Sequence, residues 1–136
     1  MRKRTKSREA TLQILYQIEI TQDPWKSAVK DYWESHVSLD AEIQEFANQL
    51  VQGTLEHVQE IDRWIQQSAD HWDLNRMASV DRNILRLAVC ELLYMNEIPP
   101  KVSINEAVEL AKKYGDKDSS KFVNGILDKI YRDHQK

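Results

Sequence analysis

The sequence predicts an all-α fold: about seven helices in two small antiparallel helical bundles that together form one domain. Three observations predict it. Only 3 glycines and 3 prolines occur in 136 residues, too few for the turns of an all-β chain. Apolar residues recur at helical spacing nearly throughout, and no segment reads as a convincing strand. The interruptions are short, which makes consecutive helices antiparallel neighbours.

A first helix is expected from about Lys6 to Ile20, with Ala10, Ile14, Leu15 and Ile18 on its buried side. Asp23 is expected to cap a second helix whose first position is Pro24. In it Trp25, Ala28, Val29, Tyr32 and Trp33 form an amphipathic stripe. A third helix starts around Ser38 or Asp40 and buries Ile43, Phe46, Ala47, Leu50 and Val51, and Gly53 is expected to kink or break it. Leu55, Val58, Ile61 and Ile65 carry a fourth to about Ser68. Residues 70–78 lack periodicity and connect two halves, about 1–69 and 75–136.

Ser79 is expected to cap the fifth helix, which is apolar almost all round from Ile84 to Met95 and therefore central and buried. Ile98-Pro99-Pro100 prevents it from continuing. Ser103 and Glu106 have the spacing of a capping box for the sixth helix, with Ile104, Ala107, Val108, Ala111 and Tyr114 buried and Glu109 paired to Lys113. Gly115 is placed as its left-handed C-terminal cap. Asp118 then caps the seventh helix, with Val123, Ile126, Leu127 and Ile130 inward.

Composition narrows the function. The chain is 41% hydrophobic and 30% charged, which fits a soluble globular protein and not a disordered one. One cysteine, Cys90, excludes an internal disulfide framework and a cysteine-based zinc site, and suits a reducing cytosol. No run of apolar residues is long enough to span a membrane, and no signal peptide is recognisable, so a cytoplasmic protein is expected. Net charge is −3, yet residues 1–8 hold five basic groups and no acid, which leaves 14 basic against 22 acidic groups in the rest. A basic arm on an acidic body is an electrostatic footprint for nucleic acid, or alternatively a solvated tail.

Nothing in the sequence points to catalysis. His36, His57, His71 and His134 share no helix face and neighbour no cysteine, so no metal site is expected. Phosphate-cradling glycine loops and nucleophile elbows are absent. Asp116, Asp118 and Ser120 are spaced like calcium-loop ligands, but Leu127 stands where the bidentate glutamate belongs. No cofactor is expected.

Residues 98–112 (Ile98-Pro99-Pro100-Lys101-Val102-Ser103-Ile104-Asn105-Glu106-Ala107-Val108-Glu109-Leu110-Ala111-Lys112) and 118–128 (Asp118-Ser119-Ser120-Lys121-Phe122-Val123-Asn124-Gly125-Ile126-Leu127-Asp128) closely resemble the NusB family of bacterial transcription antitermination factors. Val80–Ala88 with Glu91-Leu92 is similar to that family's fifth helix. Arg4, Lys6, Arg8, Glu9, Leu12, Gln13, Leu15 and Tyr16 fit its arginine-rich first helix, although Thr5 and Ser7 interrupt the basic run here. The resemblance covers essentially the whole chain. It implies binding of single-stranded boxA RNA, a heterodimer with NusE (a ribosomal small-subunit protein), and read-through by RNA polymerase in ribosomal RNA operons. It leaves a homodimer open. The alternative is a helical adaptor or an accessory module of an RNA methyltransferase, because the same fold occurs as a module of such enzymes.

Residue roles follow from the same resemblance. Arg2, Lys3, Arg4, Lys6 and Arg8 are expected to neutralise RNA phosphates. Tyr16, Asp118, Lys121 and Phe122 are expected near RNA, with Phe122 stacking a base and Asp118 accepting from a base edge. Asp81 and Arg82, and more weakly Arg86, are expected to contact NusE. The residue pattern alone reads Phe122 and Tyr16 as core, Asp118 as a cap and Asp81 as a helix-dipole partner.

Overall fold

The computed structural model describes residues 2–36 and 40–135. Among them are seven α-helices, a 3-10 turn at Leu74–Arg76 and no strand: α1 (Lys3–Thr21), α2 (Trp25–Ser35), α3 (Ala41–Glu56), α4 (Val58–Ser68), α5 (Ser79–Tyr94), α6 (Pro100–Tyr114) and α7 (Ser119–His134).

The apolar helix α5 is the hub and packs against α1, α3, α4, α6 and α7. Ile84, Leu85, Leu87, Ala88, Val89 and Cys90 are all buried. Removing that much apolar surface from water is the main driving force for the fold. α1 runs antiparallel to α5, since Arg8 near its start bonds Glu91 near the end of α5, while Glu19 near its end bonds Asn83 and Ser79. α1 runs parallel to α3, where Ser7 Oγ donates to the Ile43 carbonyl at 2.8 Å. The small buried residues Ser7, Thr11 and Ala47 let these two backbones approach closely.

Helix ends depart from the sequence expectation at several points. α1 starts at Lys3, three residues before the expected Lys6, so Lys3, Arg4, Lys6 and Arg8 lie on helix, with Arg2 as the extended N-cap residue. It stops where Gln22 turns left-handed (φ 64°) and returns its N–H to the Ile18 carbonyl. Pro24, not Asp23, is the N-cap residue of α2. Asp40 does cap α3, accepting from the Glu42 N–H at 2.8 Å, whereas the alternative start at Ser38 lies outside the described residues. α3 runs on to Glu56, so Gly53 does not break it. A Cβ there would sit 3.0 Å from Cys90 Sγ, so glycine is used for close approach to α5.

The expected caps at Ser79 and Ser103 are both displaced. Ala78 is the N-cap residue of α5, and the Ser79 hydroxyl donates to Glu19 instead. α6 begins at Pro100, whose ring presets a first-turn φ, so Ser103 already lies inside the helix. Ser103 Oγ donates to Glu91 at 2.7 Å, and Glu106 takes Arg8 at 3.1 Å, so the two supposed capping-box residues tie α6 to α5 and α1. Lys113 likewise crosses to Glu9 at 2.7 Å and does not pair with Glu109. Gly115 is extended (φ −91°, ψ −170°), not left-handed. Asp118 occupies the N-cap position of α7 but makes no side-chain cap. Asp116 holds that turn, accepting from the Asp118 N–H at 2.8 Å, while Ser119 Oγ accepts from the Asp116 N–H at 3.0 Å.

Candidate nucleic-acid interface

The basic residues of the first turns of α1 do not form one cluster. Arg2, Lys3, Arg4 and Lys6 are exposed and Arg8 is buried, 2% exposed. Lys3 bridges Asp40 (3.0 Å) and Glu42 (3.3 Å) at the start of α3. That hydrogen bonding lowers the Asp40 carboxyl pKa and raises the Lys3 ammonium. The Arg4 guanidinium lies over the Phe46 ring at 4.5 Å. Arg8 turns inward: Nε and Nη2 each meet a Glu91 carboxylate oxygen at 2.7 Å. Burial works against its charge, but Glu91 and Glu106 prevail and raise its pKa overall. Arg8 is therefore corrected from an expected phosphate contact to an interior ion-pair residue. A long cation between Ser7 and Glu9 faces α5 and α6 because of helix phase, which charge counting ignores.

The same phase creates an exposed track. Arg2, Lys6, Glu9, Gln13, Tyr16 and Ile20 recur at alternating spacings of about four and three, so they share one face of α1. Tyr16 is 44% exposed and Ile20 62%, so Tyr16 is not the core residue that its pattern alone suggests. Lys6 and Tyr16 lie about 15 Å apart along this face at the helical rise. α6 flanks the track through the Lys113–Glu9 bridge, and α2 through the Tyr32 hydroxyl, which donates to Gln13 at 2.8 Å.

The remaining expected residues meet at the other end of α5. A cleft of ≈ 270 Å³ opens between the starts of α5 and α7, lined by Trp72, Met77, Ala78, Asp81, Asp116, Asp118, Ser119 and Phe122. Asp81, Asp118 and Phe122, expected to serve different ligands, thus share one cavity. Lys121 is exposed on the first turn of α7, beside Phe122. Phe122 is half-buried and meets Trp72 edge-to-face, centroids 5.8 Å apart at 77°. Asp81 is 9% exposed, and among the described residues its Oδ1 has no hydrogen-bond partner. Burial raises its carboxyl pKa, with the Asp116 charge adding to the effect and the Ser119 hydroxyl opposing it.

Arg82 and Arg86 are engaged within the chain. Arg82 pairs with Glu19 and donates to the Met77 carbonyl at 3.0 Å. Burial, then the neighbouring Arg86, lowers its pKa. Arg86 grips Asp62 with two bonds, 2.8 and 2.9 Å. Trp72, Ser119 and Ile20 were not among the expected site residues, and Asp116 was weighed only as a calcium-loop ligand. The one usable signal was Trp72, a large aromatic stranded in the aperiodic segment 70–78, and it is 54% exposed.

The sequence profile of the NusB family matches residues 5–132. The chain belongs to the NusB family. It is 44% identical over 140 residues to the transcription antitermination protein NusB of Thermodesulfovibrio yellowstonii, covering 96% of this chain and 93% of that protein. Its fold matches T. maritima NusB at a TM-score of 0.87 with 38% identity, over 95% of this chain and 90% of that one. It also matches a chain in the crystal structure of antitermination factors NusB and NusE in complex with dsRNA, at a TM-score of 0.89 with 32% identity over 98% of each. The NusB profile thus spans the cleft residues and the α1 track from Lys6 onward. Among the described residues no helix is long and apolar enough to cross a membrane.

Proposed function

We propose that this chain is a non-catalytic transcription antitermination factor of the bacterial cytoplasm. It binds boxA RNA as a complex with NusE and promotes read-through by RNA polymerase in ribosomal RNA operons. The observation that supports this most directly is the near full-length likeness to a NusB fold solved with NusE and RNA. The two halves act as one domain, because α1 is bolted to α5 and α6 by Arg8.

In this reading single-stranded RNA follows the outer face of α1. Arg2 and Lys6 meet phosphates, with Lys3 and Arg4 at the flank. Such contacts set register without reading sequence. Tyr16 offers a ring for stacking, and Lys121 and Phe122 continue the path at the cleft rim, where stacking on a ring contributes about 1–3 kcal/mol. Asp118, freed from capping, accepts from a base edge and stays clear of phosphate. Asp81 faces the protein partner, with Arg82 and Arg86 bracing α5 behind it through Glu19 and Asp62.

Fluorescence anisotropy of labelled boxA RNA tests the reading, with a scrambled RNA of equal length, with and without NusE, at two salt concentrations. Preference for boxA that rises with NusE is expected, and linkage requires RNA to tighten NusE binding by the same factor. Equal, salt-sensitive binding of both RNAs that ignores NusE would leave only the adaptor reading.

A further inference from the structure

The chain holds 3 glycines, and packing accounts for Gly53 and Gly115. A Cβ at Gly53 would sit 3.0 Å from Cys90 Sγ, and one at Gly115 would overlap the Ser119 side chain. Gly125 is different. It lies in the interior of α7 and is exposed. Apart from its chain neighbours and its own helix backbone, no heavy atom among the described residues comes within 4 Å of where its Cβ would stand. Nor does backbone conformation require it, because no described glycine has a positive φ. Glycine is the poorest helix former after proline, since it loses the most backbone freedom on folding and packs no side chain. Gly125 therefore weakens α7, and nothing within the fold offsets that.

Its place on the helix shows what the bare backbone can serve. Asp118, Lys121, Phe122 and Gly125 stand at i, i+3, i+4 and i+7, so the glycine completes the face that carries three of the residues expected at RNA. Asp118 and Lys121 are exposed and Phe122 is half-buried. In an α-helix each Cα–Cβ bond tilts toward the N-terminus, so a long side chain covers the turn before its own Cα. A side chain at position 125 would lie over the turn of Lys121 and Phe122. With glycine there, that turn stays uncovered. An aromatic ring beside bare backbone suits a flat base, and Lys121 supplies a cation for a phosphate of the same strand.

We infer that Gly125 is a close-approach residue of the RNA surface: it leaves the Phe122 ring open and lets one nucleotide lie against the backbone of α7. The inference rests on the reading that Phe122 stacks a base. It adds a residue to which the family resemblance assigned no role, and it explains why a helix interior keeps a residue that destabilises it.

The test compares the full chain with Gly125→Ala and Gly125→Gln in three measurements. In thermal melts both variants should be more stable than the parent, Gly125→Ala by about 3–5 °C. A lower melting temperature would make Gly125 structural and overturn the inference. In anisotropy with boxA RNA and NusE, Gly125→Gln should weaken binding about tenfold or more, the scale of one lost base stack. Gly125→Ala should weaken it less. The slope of log affinity against log salt should stay unchanged, because no phosphate contact is removed. Binding of NusE without RNA should also be unchanged, and a loss there would put protein against Gly125 and overturn the inference.

Phe122→Leu keeps an apolar side chain and removes the ring. In that background Gly125→Gln should cost little further affinity, because both changes act on the same nucleotide. Additive losses would place Gly125 away from the stacked base and overturn the inference. Wild-type binding that does not prefer boxA to a scrambled RNA would remove the antitermination reading and this inference with it. Wild-type preference with unchanged affinity in both Gly125 variants would remove this inference alone.

Discussion

Arg8 and Glu91 face each other across the α1–α5 contact, with guanidinium Nε and Nη2 each 2.7 Å from a carboxylate oxygen and side chains only 3% and 1% exposed. Ser103 and Glu106 complete the arrangement from α6. The first helix, which carries the proposed RNA track, is thereby fixed to the two helices that carry the rest of the fold.

Breaking one side of this pair leaves an uncompensated buried charge, so Arg8→Ala should destabilise the chain by about 3–5 kcal/mol. The double variant Arg8→Met with Glu91→Leu removes both charges and should recover most of that loss. Urea titrations of the three proteins decide the matter. A double variant as unstable as the single one would mean that packing around Arg8, and not its charge, is what α1 depends on.

RNA affinity should depend on α1 residues according to the direction they face. Arg2→Gln and Lys6→Gln should each reduce the slope of log affinity against log salt by about 0.7. Lys3→Gln should change it less, because Lys3 is already paired with Asp40 and Glu42. Anisotropy at a series of salt concentrations provides the slopes, and equal effects at all three positions would dissolve the track into a diffuse basic patch.

Gly115 is required for space and not for backbone conformation. Its φ of −91° suits any residue, but a Cβ would overlap Ser119 Oγ and lie 2.8 Å from the Ala111 carbonyl oxygen. Gly115→Ala should therefore cost about 1–3 kcal/mol, as overpacking does. It should also perturb the Asp116–Ser119 turn at the cleft, which NMR of the Ser119 amide would show. A neutral or stabilising effect in thermal melts would refute the steric account.

Cys90 should be chemically inert in the native protein. It is buried against α3, and burial pushes its thiol pKa up to about 11. The folded-state pKa lies above the unfolded one, so stability linked to this thiol is intact at neutral pH. It is lost only as pH rises through the window from the ordinary thiol range to about 11. Reaction with an aromatic disulfide reagent at pH 8 should run at the rate of global opening and speed up on adding urea. Fast stoichiometric labelling in buffer would contradict the burial.

The helix count, the burial of α5 and the apolar stripes were legible in the sequence, because 3.6-residue periodicity is a local property written into every amphipathic segment. Helix ends were less legible. Ser79, Ser103 and Asp118 have the chemistry of caps, but their side-chain oxygens and neighbours were claimed by tertiary partners or by the next turn: Glu19, Glu91 and the Asp116 turn. Pro99 and Pro100 moved the start of α6 upstream of its apparent signal.

The sequence by itself determined that the chain is helical, that it carries a basic first helix on an acidic body, and which family pattern it follows. Only the tertiary structure decided that Arg8 is interior while Lys6 is not, and that Asp81, Asp118 and Phe122 share one cleft with Trp72. The physical reason is that periodicity depends on residues a turn apart. Whether a charge meets water or a buried carboxylate depends on a helix that the chain brings back some 80 residues later, as the 83-residue separation of Arg8 and Glu91 shows.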